Sequence, residues 1–179
     1  MANTFLAAQG HKMGKSLVEE DKLELARALL KKAAENNVKM LLPVDLVMAS
    51  AFAADADTKV ERVENLSQDY MALDIGPESR LQYDAALQGA KMIVWNDPMG
   101  VFEMDAFAHG TEAVAEAVAK SKAVSIVGGG DSVAAIEKTG LASKISHIST
   151  GGGASLSIWK AKCCPALPHW MTCAAKWLQ

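Results

Sequence analysis

Two glycine triplets are the residues most suited to binding an anion. Gly128 to Gly130 follow the apolar run AVSIV and lead into Asp131 and Ser132, and Gly151 to Gly153 follow ISHIS and Thr150. Glycine lets backbone N–H groups approach a ligand closely, and the start of a helix favours negative charge. Either triplet alone could equally be a tight turn after a strand. Two in successive units predict one phosphate site at the carboxyl edge of a parallel sheet.

Asp131 and Ser132 directly follow the first triplet. A carboxylate here could hold Mg²⁺ while the hydroxyl donates to a phosphate. The alternative is an ordinary helix N-cap at Asp131, and the spacing alone favours the cap.

A third candidate segment leaves another apolar run, at Val94 to Glu103 (VWNDPMGVFE). Asn96 and Glu103 beside exposed backbone suit hydrogen bonds to a ribose or a base. An Asn/Pro turn with a surface glutamate is the alternative, and the spacing does not decide between them. GxxxxGK[ST], GxGxxG and GxSxG are absent from the sequence, which removes the commonest triphosphatase, dinucleotide and hydrolase interpretations.

Helical and strand patterns alternate along the chain and must position these residues. The patterns predict helices over 17–36, 79–90, 105–120 and from Asp131, and strands over 38–45, 92–95, 123–127 and 145–149. The strands are apolar on both faces, which indicates a parallel sheet covered on both sides. Residues 46–78 carry scattered charge and predict an irregular excursion that ends at Pro77.

The first helix has clear boundary signals. Ser16 and Glu19 form the pattern of a capping box, and Asn36 and Asn37 supply a stop.

Composition narrows the class of protein. The chain has 179 residues, half of them hydrophobic, with a formal net charge of -3 and no basic stretch interleaved with aromatic residues. We therefore expect one globular domain and no nucleic-acid partner. Signal-peptide and membrane-span patterns are absent from the sequence, and three cysteines near one end do not make a disulfide framework. We expect no membrane partner and a cytoplasmic location.

Seven segments in order closely resemble the wording of the phosphoglycerate kinase family, from Met1 to about Leu156. They are MANTFL, Met13 to Lys22, LLPVD at Leu41 to Asp45, LDIGPES at Leu73 to Ser79, Val94 to Glu103, GGGDS at Gly128 to Ser132, and SHISTGGGAS at Ser146 to Ser155. Several motifs of this length in one order are far more specific than any single pattern.

The resemblance implies reversible phosphoryl transfer between 1,3-bisphosphoglycerate and ADP, giving 3-phosphoglycerate and ATP with Mg²⁺. Enzymes of this family have an N-terminal lobe that binds the glycerate and a C-terminal lobe that binds the nucleotide. The matched segments belong to the nucleotide lobe. The glycerate lobe and the first part of the nucleotide lobe would precede Met1, so we expect 3-phosphoglycerate to bind only with that missing part.

The resemblance also assigns roles to individual residues. Glu103 should hydrogen-bond the ribose, Asn96 and Pro98 should lie along the nucleotide, and Gly100 and Val101 should wall the adenine slot. The residues expected to meet the phosphates are Gly129, Gly130, Asp131 and Ser132, with Asp131 also contacting the metal. The second phosphate-facing helix start would be formed by Gly151, Gly152 and Gly153. The glycines expected to take part in catalysis are Gly129, Gly130, Gly152 and Gly153.

Two departures from the family wording fall at the expected site. Asp97 stands where the family has glycine, which places a carboxylate and a Cβ against the nucleotide. Ala72 replaces another glycine and adds a methyl group at the adenine slot.

The resemblance implies an α/β fold, part of a doubly wound, Rossmann-like parallel sheet in a three-layer α/β/α arrangement. The family strand order is 3-2-1-4-5-6, and the first two strands would be missing. We divide the chain into a partial nucleotide lobe, 1–156, and a divergent tail, 157–179. A zinc site formed by Cys163, Cys164, His169 and Cys173 is disfavoured, because adjacent cysteines rarely both reach one tetrahedral centre.

Three interpretations remain open. The chain is part of a phosphoglycerate kinase that is inactive alone, a non-catalytic nucleotide-binding module, or a decayed gene product.

Overall fold

A computed structural model describes residues 1–149 of the chain. The α-helices are α1 (Ala2–Ala8), α2 (Leu23–Glu35), α3 (Pro77–Leu87), α4 (His109–Lys120) and α5 (Gly130–Lys138). The strands are β1 (Asp45–Ala49), β2 (Thr58–Arg62), β3 (Met71–Ile75), β4 (Met92–Asn96), β5 (Val124–Gly128) and β6 (His147–Ser149). Single 3-10 turns occupy Glu20–Lys22, Val63–Asn65, Asp105–Phe107 and Ala142–Lys144. The expected tail and the second glycine triplet lie outside the described residues.

The α/β class and the parallel sheet are confirmed in the second half of the described chain. Strands β4, β5 and β6 pair in that order, all parallel, with Asn96 opposite Gly128 and Gly128 opposite Ser149. Each strand begins and ends within two residues of the predicted bounds, because apolar runs between helical segments are typical of buried parallel strands. One face of this sheet packs Ile93 and Trp95 against α4 and α5.

Coverage of both faces of this sheet is not observed among the described residues. Met92, Val94 and Val124 point away from the packed face and remain about half exposed, at 51%, 46% and 51%.

The first half forms a separate sheet with the order β2-β1-β3, and both pairings are antiparallel. The prediction of a strand over 38–45 is wrong: the strand runs from Asp45 to Ala49, and all five of its residues are buried. Pro43 cannot donate to a ladder, whereas LVMA can both donate and bury its side chains. The predicted irregular excursion is also wrong, since β2 and β3 lie within it. The charged alternation of β2, TKVER, marks an edge strand with one wet face.

The predicted capping box at Ser16 is wrong as well. The helix begins later, at Leu23, and its N-cap residue Lys22 makes no side-chain cap. Ser16 is buried instead, and its hydroxyl accepts a hydrogen bond from the Ala72 N–H at 2.9 Å. The stop is confirmed, because the helix ends at Glu35 and Asn37 adopts a positive φ of 54°.

Side chains and backbone bonds join the two sheets where no strand pairs across them within residues 1–149. Tyr83 and Met99 pack against the core of each sheet. The N–H of Val101, after β4, donates to the carbonyl of Leu73 in β3 at 2.9 Å. The segment that leaves β4 is therefore fixed against the antiparallel sheet.

Candidate functional site

The candidate site lies at the carboxyl ends of β4 and β5, the edge at which open α/β sheets bind ligands. The parallel register brings Asn96 and Gly128 to this edge side by side. Ser149 ends β6 beside Gly128, and the second glycine triplet follows it in sequence, outside the described residues.

The first glycine triplet forms the start of α5. Gly129 has a φ of 101°, a conformation that L side chains rarely adopt, and a Cβ there would lie 3.3 Å from Asn96 Oδ1. Nothing lies within 4 Å of a Cβ added at Gly130, which is exposed. Because the first N–H groups of a helix have no partner inside it, this open backbone can receive an anion.

Asp131 and Ser132 separate at this helix start. The Asp131 side chain is exposed on the cavity side, whereas Ser132 is completely buried. The Ser132 hydroxyl accepts a hydrogen bond from the Asp97 N–H at 2.7 Å. Ser132 thus fixes the turn after β4, and its expected donation to a phosphate stays a prediction.

Asp97 occupies a strained turn. Its φ is 73°, the left-handed conformation, and its carbonyl accepts a hydrogen bond from the indole Nε1 of Trp95 at 2.9 Å. Glycine adopts this conformation without a Cβ penalty, which accounts physically for a glycine at this position in the family wording.

Two cavities flank the segment that leaves this turn. The first, about 500 Å³, is lined by Phe52, Pro98, Gly100, Val101, Phe102, Glu103, Met104 and Asp131. The second, about 570 Å³, lies between the two sheets and shares Pro98, Gly100, Val101 and Asp131 with the first. Its lining also includes Asn96, Asp97 and Ala72. The structure therefore brings the expected nucleotide residues together, while Gly129, Gly130 and Ser132 lie just behind the lining.

We call residues 98–103 the wall segment. The Thr111 hydroxyl of α4 accepts hydrogen bonds from the N–H groups of Met99 and Gly100 at 3.1 and 3.4 Å. At the other end of the segment, Lys138 of α5 donates to the Phe102 carbonyl at 2.9 Å. Together with the Val101 bond to Leu73, these contacts hold the wall segment to three elements.

The charges around the site are predominantly negative. Glu103, Asp97 and Asp131 line the cavities, and none of the described lining residues is a lysine, arginine or histidine. Lys138 is occupied with the Asp105 carboxylate at 2.7 Å, and that hydrogen bond lowers the pKa of Asp105. A polyphosphate would therefore need a metal ion, and further cations, to bind strongly here.

Asp74 is the one buried carboxyl beside the wall segment with a resolved shift. Burial raises its pKa to about 6, although hydrogen bonds from the Gly110 and Ile75 N–H groups and the charge of Arg80 act in the opposite direction. Its side chain is fully buried at the end of β3.

Sequence reasoning missed three residues of this region. Phe52 lines the first cavity although it is 61% exposed, and an exposed aromatic residue among alanines was the available signal. Asp74 and Lys138 fix the wall segment from β3 and α5, and their sequence positions gave no sign of these long-range contacts.

A metal ion at this site has a limited set of protein ligands. Within residues 1–149, no group of three or more His, Cys, Asp or Glu side chains could hold a metal. Asp131 alone fits the pattern of Mg²⁺, which is commonly bound by one or two carboxylates together with substrate phosphates. In the same part of the chain, no helix is long and apolar enough to cross a membrane.

Comparisons with known proteins agree with this arrangement. The family model described as phosphoglycerate kinase matches residues 1–162. A phosphoglycerate kinase of Moorella thermoacetica is 62% identical over 167 residues, which are 93% of this chain and 42% of the relative. One from Roseiflexus castenholzii is 53% identical over the same shares. The chain therefore belongs to the phosphoglycerate kinase family.

Solved structures show the same likeness. The phosphoglycerate kinase of Coxiella burnetii superposes with a TM-score of 0.85 at 47% identity, over 87% of this chain and 41% of that one. That of Pyrococcus horikoshii gives 0.74 at 35% identity, over 87% and 39%. This chain spans about two fifths of the length of the relatives that it matches.

Proposed function

We propose that this chain carries part of the ADP/ATP and Mg²⁺ site of a phosphoglycerate kinase, an enzyme of glycolysis. The reaction is the reversible transfer of a phosphoryl group between 1,3-bisphosphoglycerate and ADP, with the carboxyl group of 3-phosphoglycerate as the acceptor in reverse. One observation carries the proposal: Pro98, Gly100, Val101 and Glu103 wall a cavity that reaches Asp131 at the start of α5.

The lining divides by chemistry in the way that a nucleotide requires. Phe52, Pro98 and Val101 supply apolar walls for a base, and Gly100 leaves space between them. Glu103 can accept hydrogen bonds from ribose hydroxyls. The open amides at Gly129 and Gly130 suit phosphate oxygens, and Asp131 can hold the metal that bridges them.

The glycines act in the transfer by positioning the phosphates. Phosphoryl transfer depends chiefly on positioning and on neutralising charge. In the described part of the chain the cavity lining contributes carboxylates and backbone amides. We therefore propose that the positive side chains and the 3-phosphoglycerate site come from the remainder of the enzyme. Gly152 and Gly153 would form the second phosphate contact.

A cytoplasmic protein with a small-molecule partner, and neither nucleic acid nor membrane as partner, accords with this proposal. A second candidate is a nucleotide-binding module without catalysis, which the acidic lining and Asp97 favour.

Calorimetric titration of MgADP into the full chain tests the proposal. We expect weak but saturable binding that Glu103→Gln weakens several-fold, because a neutral amide accepts the ribose hydrogen bonds less well. Glu137→Gln, on the exposed side of α5, is the matched control and should bind like the unaltered chain. Absence of binding, or equal binding by both variants, would reject this site.

A further inference from the structure

The Asp74 carboxylate lies where three parts of the chain meet. It stands near the end of β3, and its Oδ2 accepts a hydrogen bond at 2.7 Å from the N–H of Gly110, in the first turn of α4. Its Oδ1 accepts from the N–H of Ile75 at 2.8 Å. Arg80 of α3 places Nη2 at 3.7 Å from Oδ2.

Two glycines make room for this carboxylate. A Cβ added at Gly100 or at Gly110 would lie less than 3.0 Å from Asp74 Oδ1, closer than real Cβ atoms approach. Gly100 belongs to the wall segment, so the carboxylate packs directly against the backbone that lines both cavities. The next residue, Val101, donates to the carbonyl of Leu73, the neighbour of Asp74.

We infer that Asp74 is a positioning residue for nucleotide binding: its ionised carboxylate fixes the wall segment and the first turn of α4 relative to β3. Asp74 contacts no ligand position itself, and it acts through Gly100 and Gly110. The inference rests on the proposed function, because the wall segment is the assumed nucleotide contact.

A carboxylate suits this place better than an amide. Two N–H groups and a guanidinium converge on it, and a carboxylate offers acceptors on both oxygens. An asparagine would turn an N–H₂ group toward one of these donors and leave that donor unpaired, which is costly in a buried place. The charged groups that face Asp74 are Arg80 from α3 and His109 from α4, and the His109 ring also contacts Glu112 at 3.2 Å.

Asp74→Asn in the full chain is the primary test, with Asp69→Asn, an exposed site in the turn before β3, as the matched control. MgADP affinity is measured by calorimetry, and amide hydrogen exchange is measured without ligand. We expect the Asp74 variant to bind MgADP about tenfold or more weakly, since a lost hydrogen bond to a charged group is worth about that factor. The amides of Gly110 and Val101 should exchange faster in it, and the control should match the unaltered chain.

Equal affinity, together with equal protection of Gly110 and Val101, would overturn the inference. If the variant does not fold, NMR of the unaltered chain gives the answer: the amide shifts of Gly110 and Val101 should titrate together with the Asp74 carboxyl carbon. A Val101 amide that ignores this titration would also overturn it. Absence of MgADP binding to the unaltered chain would refute the proposed function instead, and the exchange and titration data would still decide whether Asp74 fixes the segment.

Discussion

At Asp97 a single side chain combines two unfavourable features. The residue holds a left-handed backbone conformation, and it places a carboxylate on a cavity already lined by Asp131. An aspartate tolerates this conformation better than most residues, but glycine tolerates it at no steric cost. Stability and anion binding should therefore improve together when this side chain is removed.

Asp97→Gly should raise the free energy of unfolding by about 0.5–1 kcal/mol, because the strain is relieved at a position where φ is positive. It should also tighten MgADP binding several-fold, since a charge that repels the phosphates is lost. Urea unfolding and calorimetry measure the two effects. Asp69→Gly serves as the control for the loss of one carboxylate. An unchanged or weaker affinity would show that Asp97 does not face the nucleotide.

The pH dependence of stability offers a test at Asp74. Its pKa rises from 3.8 to about 6 in the folded chain, so between about pH 4 and 6 the folded state binds a proton that the unfolded state releases. The contribution of this group to stability is therefore largest below about pH 4 and is lost as the pH rises through about 6, by about 3 kcal/mol at most. Asp74→Asn should remove this slope from urea unfolding measured between pH 4 and 7. A variant that retains the full slope would contradict the assignment.

On the scale of elements, the wall segment depends on helices that pack behind it. Lys138 ends α5 and reaches both the Phe102 carbonyl and the Asp105 carboxylate. The 3-10 turn at Asp105–Phe107 then leads into α4, whose Thr111 holds the beginning of the segment. A change at the far end of α5 should therefore be felt in the cavity.

Lys138→Met keeps the length and apolar stem of the side chain but removes its hydrogen bonds. We expect MgADP to bind about two- to fivefold more weakly, the range for an exposed ion pair, and the amides near Phe102 to exchange faster. Lys122→Met, exposed after α4, is the matched control. The same loss of affinity in both variants would mean that only net charge is at work.

Elements were predictable where one local pattern decides the structure. The apolar runs that became β4, β5 and β6 alternate with helical periods, so both their class and their parallel pairing followed from the sequence. The strand β1 was misplaced because VKMLL is as apolar as LVMA, and only tertiary contacts select the second run. Ser16 was misassigned because a hydroxyl that fits a cap can serve a distant N–H equally well.

The candidate site was predictable to the extent that it is continuous in sequence. Pro98, Gly100, Val101 and Glu103 fall in one motif, and they line one cavity with Asp131. Phe52 and Asp74 come from loops and strands of the antiparallel sheet, and no spacing rule links them to that motif. The resemblance to a family named the site, whereas the supports behind it required coordinates.

On the scale of the whole molecule, the described part carries surface that a complete doubly wound domain would cover. Among the described strands β4 pairs with β5 alone, and Met92, Val94 and Val124 expose one apolar face. Unpaired strand edges and apolar faces of this kind promote association. The cavities also lack the positive side chains that phosphoryl transfer requires, within the residues described.

The chain alone should therefore show no phosphoglycerate kinase turnover, and the absent part should act when supplied separately. We predict that mixing the chain with the segment of the Moorella thermoacetica relative that it does not span sharpens the thermal transition and restores some turnover. Asp97→Gly should increase that turnover further, because folding and the local charge are separate obstacles. A coupled assay compares the mixture with each piece alone. A well-folded mixture that stays silent with Asp97→Gly would favour the non-catalytic module.

The most direct measurement is NMR mapping of MgADP on the isotopically labelled full chain, which detects even weak binding. If the nucleotide site lies where we propose, the amide shifts of Val101, Glu103 and Gly129 to Asp131 should move progressively and saturate. Residues on the outer side of α2 should stay unchanged. Inorganic pyrophosphate with Mg²⁺ should move the α5 group alone. Shifts confined to other surfaces, or none at millimolar MgADP, would contradict a nucleotide site at this edge of the sheet.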